Sequence, residues 1–311
     1  MRMNFKLSEP ELRIIPLLDN SPTIGELAKR TGVSTGYISR IVTSLMHKGF
    51  VEVSTRGITK KVKLSNNLHA AKLKAILQKR SYMPLPQLLQ GSGIQVLAVL
   101  SSGKADLARL KEESQMSEAT LRRHTRKFKK HAMLLYQNKE YELPQDLVDI
   151  KEFLNDYCSY FAVSTLQEIS PQACFITSHG FEFLFASDSE VKHPNVRPTG
   201  LTAISGTIPL MLAENYYFYT MRKLSHEEIA AHAITAYPHS KRNLAYVLLY
   251  IIKTKPDKDL LLRISNQYGI TCISKSMLNL LDTWKQPEEN FMPSPSYIKQ
   301  KAEEYNIKWQ E

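Results

Sequence analysis

The chain has 311 residues, which suggests two or three domains at roughly 100–200 residues each. Hydrophobic residues make up 43% of it, an ordinary share for a globular protein, and no apolar run approaches the ~20 residues of a membrane-spanning helix. The first residues lack the apolar stretch of a signal peptide, and the three cysteines lie far apart. We therefore expect a cytoplasmic protein with no membrane association, disulfide or zinc site.

The net charge of +11 is divided unevenly along the chain. Residues 1–145 hold 25 Lys and Arg against 11 Asp and Glu, whereas residues 146–311 hold 16 against 19. An evenly spread excess of lysine would indicate a device for solubility, but an excess in one half is typical of a segment that binds a polyanion. The composition thus predicts a basic nucleic-acid-binding half and a second half with another task.

In chain order, residues 9–19 carry apolar side chains at helical spacing, and we expect Pro16 to kink this helix. Thr23 and Glu26 have the spacing of a capping box, which predicts the start of a second helix. Gly32 is placed to end that helix in the left-handed conformation, and Ser34 to cap a third. These signals predict a helix-turn-helix.

The third helix is expected to bury a stripe of apolar residues and to end at Gly49. Residues 50–53 and 61–64 alternate like strands, with a turn predicted over residues 54–57. Residues 23–53 resemble the winged helix-turn-helix family, and the resemblance implies binding to double-stranded DNA. The alternative is a winged helix that serves only as a platform for protein interactions.

The third helix is the predicted recognition helix, because a DNA major groove admits one helix whose N-terminal residues reach the base edges. Helical spacing turns six of its residues away from the buried stripe: Thr35, Gly36, Tyr37, Ser39, Arg40 and Thr43. Arg40 can make a bidentate contact with guanine. Three cations of the hairpin, Arg56, Lys60 and Lys61, are expected to touch phosphate or the minor groove.

The next segment predicts a second, more degenerate module over residues 81–145, after a first domain over 1–80. Residues 69–80 predict a basic helix, and the prolines that follow indicate an extended connector over residues 81–86. Two helices are predicted over residues 104–113 and 119–132, the latter with Leu121, Phe128 and Ala132 facing inward. A hairpin stub is predicted across Asn138-Lys139.

The outer face of the helix over residues 119–132 is strongly cationic. Its members are Arg122, Arg123, Arg126, Lys127, Lys129 and Lys130. Like charges on one helix repel each other, and a polyanion relieves that repulsion. We therefore expect the first three together with Lys127 and Lys130 to contact DNA; the alternative is a solvated basic helix with no fixed partner.

Residues 146–311 predict a mixed α+β domain. Strand patterns occur over residues 173–176, 181–186 and 216–219, and helix patterns over 150–161, 229–236, 242–253, 258–268 and 274–284. The predicted fold class is α+β multidomain, with tandem N-terminal winged helix-turn-helix units and this C-terminal domain.

The order of these modules carries a narrower resemblance. The chain resembles prokaryotic AbiEi-type antitoxins and related archaeal regulators. The resemblance lies in the tandem winged helices, Pro198–Ala203, the aromatic strand, Leu224–Ile229 and Arg242-Asn243-Leu244. The resemblance implies a repressor of its own operon whose C-terminal domain neutralises a nucleotidyltransferase-like toxin. A stand-alone regulator that responds to a small molecule is the alternative within the same class.

Signals for catalysis are weak. Glu190 and Lys192 form half of the pattern of a magnesium-dependent nuclease, but Pro194 follows closely and favours a surface turn. The histidines lack metal-ligand spacing, and no nucleotide-binding glycine motif is present. We expect no enzyme, metal or cofactor, and keep a magnesium-dependent nucleic-acid-processing enzyme as the alternative. A two-fold operator would imply a homodimer or two copies side by side on DNA.

Overall fold

The structure is a computed structural model that describes residues 5–56 and 59–307, with the side chain of Arg56 outside the described part. Its contacts divide the chain into two compact units. The first comprises the residues up to 165 together with 178–181, and the second comprises 166–177 together with 182 onward. The division of the first unit into domains at residue 80 stays a prediction, because its buried apolar residues form one continuous core from Leu7 to Cys158.

The first unit opens with three helices and a hairpin. The helices are α1 (Glu9–Ile14), α2 (Ile24–Thr31) and α3 (Thr35–His47), and the strands are β1 (Val51–Arg56) and β2 (Thr59–Leu64). A 3-10 turn over Ile15–Leu17 follows α1, because Pro16 cannot donate the hydrogen bond that would continue the helix. The turn predicted over residues 54–57 is wrong for its first three residues, which lie in β1 and pair with β2.

The rest of the first unit is mostly helical. It contains α4 (Leu68–Lys79), α5 (Leu85–Leu89), α6 (Gly93–Ser101), α7 (Leu107–Ser114), α8 (Glu118–Lys130), β3 (Leu135–Gln137), β4 (Glu140–Glu142) and the long α9 (Val148–Ile169), which continues into the second unit. The extended connector predicted over residues 81–86 is wrong at its end, where α5 begins with Pro86 in its first turn. Proline is tolerated there because an N–H in the first turn of a helix has no acceptor within the helix, so the missing N–H of proline costs no hydrogen bond.

The hairpin predicted across Asn138-Lys139 is confirmed. Both residues have positive φ, 52° and 65°, as a tight two-residue hairpin turn requires. The prediction that Ala132 faces inward is wrong. Helix α8 ends at Lys130, and Ala132 lies beyond it, exposed and with a φ of 53°.

The second unit holds a sheet with helices around it. The strands are β5 (Cys174–His179), β6 (Glu182–Ser187), β7 (Val196–Pro198) and β8 (Asn215–Tyr219), in the order β5-β6-β8-β7, with β8 antiparallel to both neighbours. The last two residues of β5 belong to the first unit. The helices are α10 (Gly200–Ser205), α11 (His226–Ala236), α12 (Lys241–Thr254), α13 (Lys258–Gln267), α14 (Thr271–Thr283) and α15 (Pro295–Glu304). Its core is separate and is dominated by α11 and α12.

Candidate nucleic-acid interface

Helices α2 and α3 are fixed by local signals. The Thr23 hydroxyl accepts from the backbone N–H of Glu26, whose carboxylate accepts from the Thr23 N–H at 2.7 Å, so the capping box is complete. The hydrogen bonds from Thr23 lower the pKa of Glu26. Gly32 ends α2 with a φ of 71°, and the Ser34 hydroxyl accepts from the N–H of Tyr37 to cap α3. The predicted helix-turn-helix is present.

One side of α3 is buried and the other is open. The buried stripe consists of Ile38, Ile41, Val42 and Leu45. Of the six predicted contact residues, Ser39 is half-buried and the other five are exposed. Among the described residues, apart from its chain neighbours and the backbone of its own helix, no atom would lie within 4 Å of a side chain's Cβ at Gly36, so this helix end is open. A groove could therefore approach the first turns of α3 closely.

The exposed side of α3 offers varied chemistry. The Arg40 guanidinium carbon lies 5.8 Å from the centre of the Tyr37 ring, within cation–π range. The Thr43 hydroxyl donates to the carbonyl of Ser39 at 3.0 Å, which leaves its oxygen able to accept from another group. The sequence interpretation missed His47, an exposed residue four positions after Thr43 that continues the same face. Helical spacing from Arg40 and Thr43 would have identified it.

The wing presents two of the three predicted cations to solvent. Lys60 and Lys61 are exposed on β2, where they pair with Thr55 and Ser54 of β1. Lys61 also contributes electrostatic attraction to Glu26 at the start of α2. Arg56 ends β1, but its side chain lies outside the described residues. The hairpin thus carries positive charge beside the start of α2, and its other strand, β1, contacts the recognition helix.

Helix α8 places most of its cations at the surface. Arg122, Arg123, Arg126 and Lys130 are exposed, and Arg122 contacts Glu118 one turn earlier at 2.6 Å. Within residues 5–56 and 59–307, the other three make no ion pair.

Two further lysines of α8 have local partners. Lys127 donates to the carbonyl of Gln87 at 2.8 Å, so this predicted contact residue supports the fold. The Lys129 ammonium lies 4.7 Å from the centre of the Tyr136 ring on the short hairpin. Beneath them His124 is held at 2.8 Å from the Ser92 hydroxyl, and burial lowers its pKa, with smaller contributions from Arg123 and Lys127.

The weak catalytic signals do not converge in the structure. Glu190 and Lys192 are exposed and pair with each other at 3.1 Å. His232 is buried between the hydroxyls of Thr199 and Tyr268, at 2.8 and 2.9 Å, and this arrangement explains it as a core residue. The described residues contain no group of three or more His, Cys, Asp or Glu side chains that could hold a metal ion.

A cavity with a volume of about 370 Å³ lies among the described residues of the second unit. It is lined by Ile251, Ile252, Lys255, Pro256, Lys258, Leu281 and Trp284. The walls are therefore mainly apolar with two cations, and the volume is within the range of small-molecule sites. The sequence interpretation missed it, because its lining comes from the ends of helices α12 and α14 and the start of α13.

Comparison with known proteins identifies the first module. Residues 7–56, from just before α1 to the end of β1, match the model of the MarR family. These residues therefore form a MarR-type winged-helix domain, which supports a DNA-binding transcriptional regulator. No curated protein matches the chain. In the described part of the chain, no helix has the length and apolar character that crossing a bilayer requires.

Proposed function

We propose that the protein is a sequence-specific transcriptional repressor that binds double-stranded DNA through α3 and the β1–β2 wing. The observation that carries this proposal is the open face of α3, where Tyr37 and Arg40 are exposed above a fully buried stripe. An arginine near the N-terminus of a recognition helix can distinguish guanine by its two acceptors. The hydroxyls of Ser39 and Thr43 add short polar contacts to bases or phosphates.

The direct test is fluorescence anisotropy of the full chain on its own upstream DNA and on a scrambled duplex, over a range of salt. We expect tight, salt-sensitive binding with a preference for the upstream sequence. Binding without preference would instead indicate an architectural role. Failure to bind at physiological salt would assign the winged helix to protein interactions.

The Arg40→Ala variant localises the base contact. It should weaken binding to the upstream site by about 1–3 kcal/mol and relax the preference at one base pair. Arg263→Ala is the matched control, since it removes the same group from an exposed position on α13 in the second unit. Equal effects of the two variants, or none from either, would show that α3 is not the reading helix.

The repressor is further proposed to be the antitoxin of a nucleotidyltransferase-like toxin. This finer role rests on the resemblance of Pro198–Ala203, Leu224–Ile229 and Arg242-Asn243-Leu244 to AbiEi-type antitoxins. The toxin would bind through residues 146–311. If one chain combines both tasks, Arg40→Ala should release repression of a promoter reporter and still rescue growth from a co-expressed neighbouring toxin gene. Loss of both activities would argue against separate sites, and absence of any toxic neighbour would remove the antitoxin role.

The cavity of the second unit favours one further candidate, a regulator controlled by a small molecule. Apolar walls with Lys255 suit a compact apolar acid, because the wall buries the hydrocarbon and this lysine attracts the carboxylate, whereas Lys258 already pairs with Asp282. A panel of small aromatic and aliphatic carboxylates should then raise the melting temperature of the full chain and change its affinity for DNA. Lys255→Gln should reduce the shift, and no shift with any acid would exclude this class of effector.

A further inference from the structure

Helices α7 and α8 repeat the design of α2 and α3. The first helix of each pair has eight residues and the second has thirteen. Each is preceded by a side-chain cap: Thr23 and Ser34 in the first pair, Asp106 and Ser117 in the second. Both caps of the second pair follow their counterparts by the same offset, 83 residues (106 minus 23). The repeat is therefore in register over both helices.

The turns within and after the pairs share this register. Gly32 ends α2 in the left-handed region with a φ of 71°, and Gln115 ends α7 there with a φ of 53°. After the second helix of each pair, Gly49 and Ala132 again have positive φ, 72° and 53°. Non-glycine residues rarely take this conformation, so its recurrence at equivalent positions shows that the backbone path is retained where the glycines are not.

The exit from the second helix is closed by the same hydrogen bond in both modules. The N–H of Phe50 donates to the carbonyl of Leu45 at 2.9 Å, and the N–H of Met133 donates to the carbonyl of Phe128 at 2.9 Å. All four side chains are buried. The chain therefore leaves α3 and α8 in the same direction relative to each helix axis.

The hairpins attach to the helices in the same way as well. In the first module the N–H of Val62 donates to the carbonyl of Pro22 at 2.9 Å, and in the second the N–H of Tyr141 donates to the carbonyl of Ala105 at 2.8 Å. Pro22 and Ala105 each lie directly before the cap of the first helix. The second hairpin is shorter, with strands of three residues instead of six, and Ala105 also donates its own N–H to the carbonyl of Tyr141, which Pro22 cannot do.

The register defines which residues of α8 occupy the DNA-facing positions of α3. The buried residues correspond first: Ile38 with Leu121, Val42 with Thr125, and Leu45 with Phe128. The outward positions then correspond as Ser39 with Arg122, Arg40 with Arg123, and Thr43 with Arg126. One arginine and two hydroxyls on α3 are thus replaced by three arginines on α8, with Arg123 at the position of Arg40.

We propose that α8 is a second DNA-contacting helix of the same chain and binds phosphates beside the segment that α3 reads. This inference rests on the proposed DNA binding by α3. Three arginines on one exposed face repel each other, and binding a polyanion neutralises that repulsion. Among the described residues, Arg123 and Arg126 have no ion pair. One chain then covers a bipartite site, with sequence read at one end and charge neutralised at the other.

Simultaneous contact is favoured by the way the first unit is built. The buried residues of α3 and α8 belong to one continuous apolar core. Once α3 is bound, α8 is held near the same duplex at a high effective concentration, so even weak phosphate contacts add to affinity. The arrangement supplies within one polypeptide what a dimer supplies with two copies of one helix, and it requires no two-fold operator.

The test combines a length series of duplexes with charge variants of the full chain. Extending the upstream site on one side of the segment read by α3 should increase the affinity of the wild-type chain, at one chain per duplex. Arg122→Ala/Arg123→Ala/Arg126→Ala should abolish this gain and reduce the slope of log affinity against log salt by about 2–3. The variant with lysine at the same three positions should retain both, because phosphate contacts require charge alone.

The control removes three exposed lysines of the second unit, Lys223, Lys275 and Lys285, and should leave the length dependence unchanged. An unchanged salt slope in the triple alanine variant overturns the proposal. A lysine variant as weak as the alanine variant overturns the phosphate assignment, because it would mean that the arginines read bases. A wild-type chain with no preference for upstream DNA would instead overturn the function proposed for α3.

Discussion

Helices α4 and α8 are both basic in sequence, yet the structure uses their charges differently. The cations of α4 and Arg80, the residue directly after it, contact carboxylates elsewhere in the first unit: Lys72 pairs with Glu152 and Asp156, Lys74 with Asp19, and Arg80 with Asp149. On α8, within the described part of the chain, the only acidic partner is Glu118 of the same helix, which contacts Arg122. Charge density alone therefore does not identify a nucleic-acid surface; availability of the charge does.

The difference assigns the two helices different physical tasks. Arg80 is buried, and its guanidinium donates to both carboxylate oxygens of Asp149 at 3.0 Å and to the carbonyl of Asp146 at 2.5 Å. Such a bidentate pair holds α4 against the start of α9. The arginines of α8 are exposed, so their charge contributes little to folding and remains available to a ligand.

The largest expected effect is the loss of the part-buried pair between Arg80, directly after α4, and Asp149. Arg80→Ala should lower the free energy of unfolding by about 3 kcal/mol, because it leaves the Asp149 carboxylate without its bidentate partner. Urea denaturation measures the loss. The salt slope of DNA binding should not change, because this arginine is already neutralised.

The control for that prediction is the Arg80→Ala/Asp149→Ala double variant. Removing both partners also removes the carboxylate that Lys79, at 3.7 Å, would otherwise compensate alone, so the double variant should be more stable than the sum of the single losses predicts. A single loss below about 1 kcal/mol with additive effects would mean that the pair behaves as an exposed one. A change in the salt slope would mean that α4 contacts DNA after all.

A smaller effect should come from pH, through His69 in the first turn of α4. Burial lowers the pKa of His69 from 6.5 to about 4, and the opposing effects of the Lys48 carbonyl and Asp156 are weaker. The folded state therefore keeps the ring neutral while the unfolded chain protonates it. The stabilisation is complete above pH 6.5 and is lost as pH falls towards 4.

The measurement is the free energy of unfolding at two pH values. Between about pH 7.5 and about pH 5 the wild-type chain should lose about 2 kcal/mol more than His69→Gln, whose amide can still donate to the Lys48 carbonyl but does not titrate. Parallel pH profiles for the two proteins would show that His69 is not the titrating group.

The elements that sequence reasoning predicted well are those that local signals determine. The capping box at Thr23, the left-handed Gly32 and the cap at Ser34 act within four residues of the helix ends that they define. The apolar stripe of α3 follows from helical periodicity alone, and so does the exposure of Arg40. The MarR match covers this same stretch.

What the sequence could not reveal depends on partners far along the chain. Arg80 and Asp149 are 69 residues apart, and no local pattern indicates that one neutralises the other. The same holds for the contact of Lys127 with the Gln87 carbonyl, 40 residues earlier, which gives this predicted DNA-contact residue a partner within the protein. The prediction of an extended connector before α5 was wrong for another reason, because proline is compatible both with an extended segment and with the first turn of a helix.

The smallest expected effect completes the comparison. Arg122→Ala/Arg123→Ala/Arg126→Ala should change the free energy of unfolding by less than about 0.5 kcal/mol, because exposed charges contribute little and the loss of like-charge repulsion offsets the lost contact with Glu118. Urea denaturation beside Arg80→Ala in the same buffer checks this.

The result decides how the DNA-binding measurements are interpreted. If the triple variant is as stable as the wild-type chain, its altered salt slope reports contacts that α8 makes with DNA. If it loses more than about 1 kcal/mol, the arginines of α8 support the fold as Arg80 does beside α4. The contrast between the two basic helices would then disappear, since the cations of both would stabilise the fold through contacts within the protein.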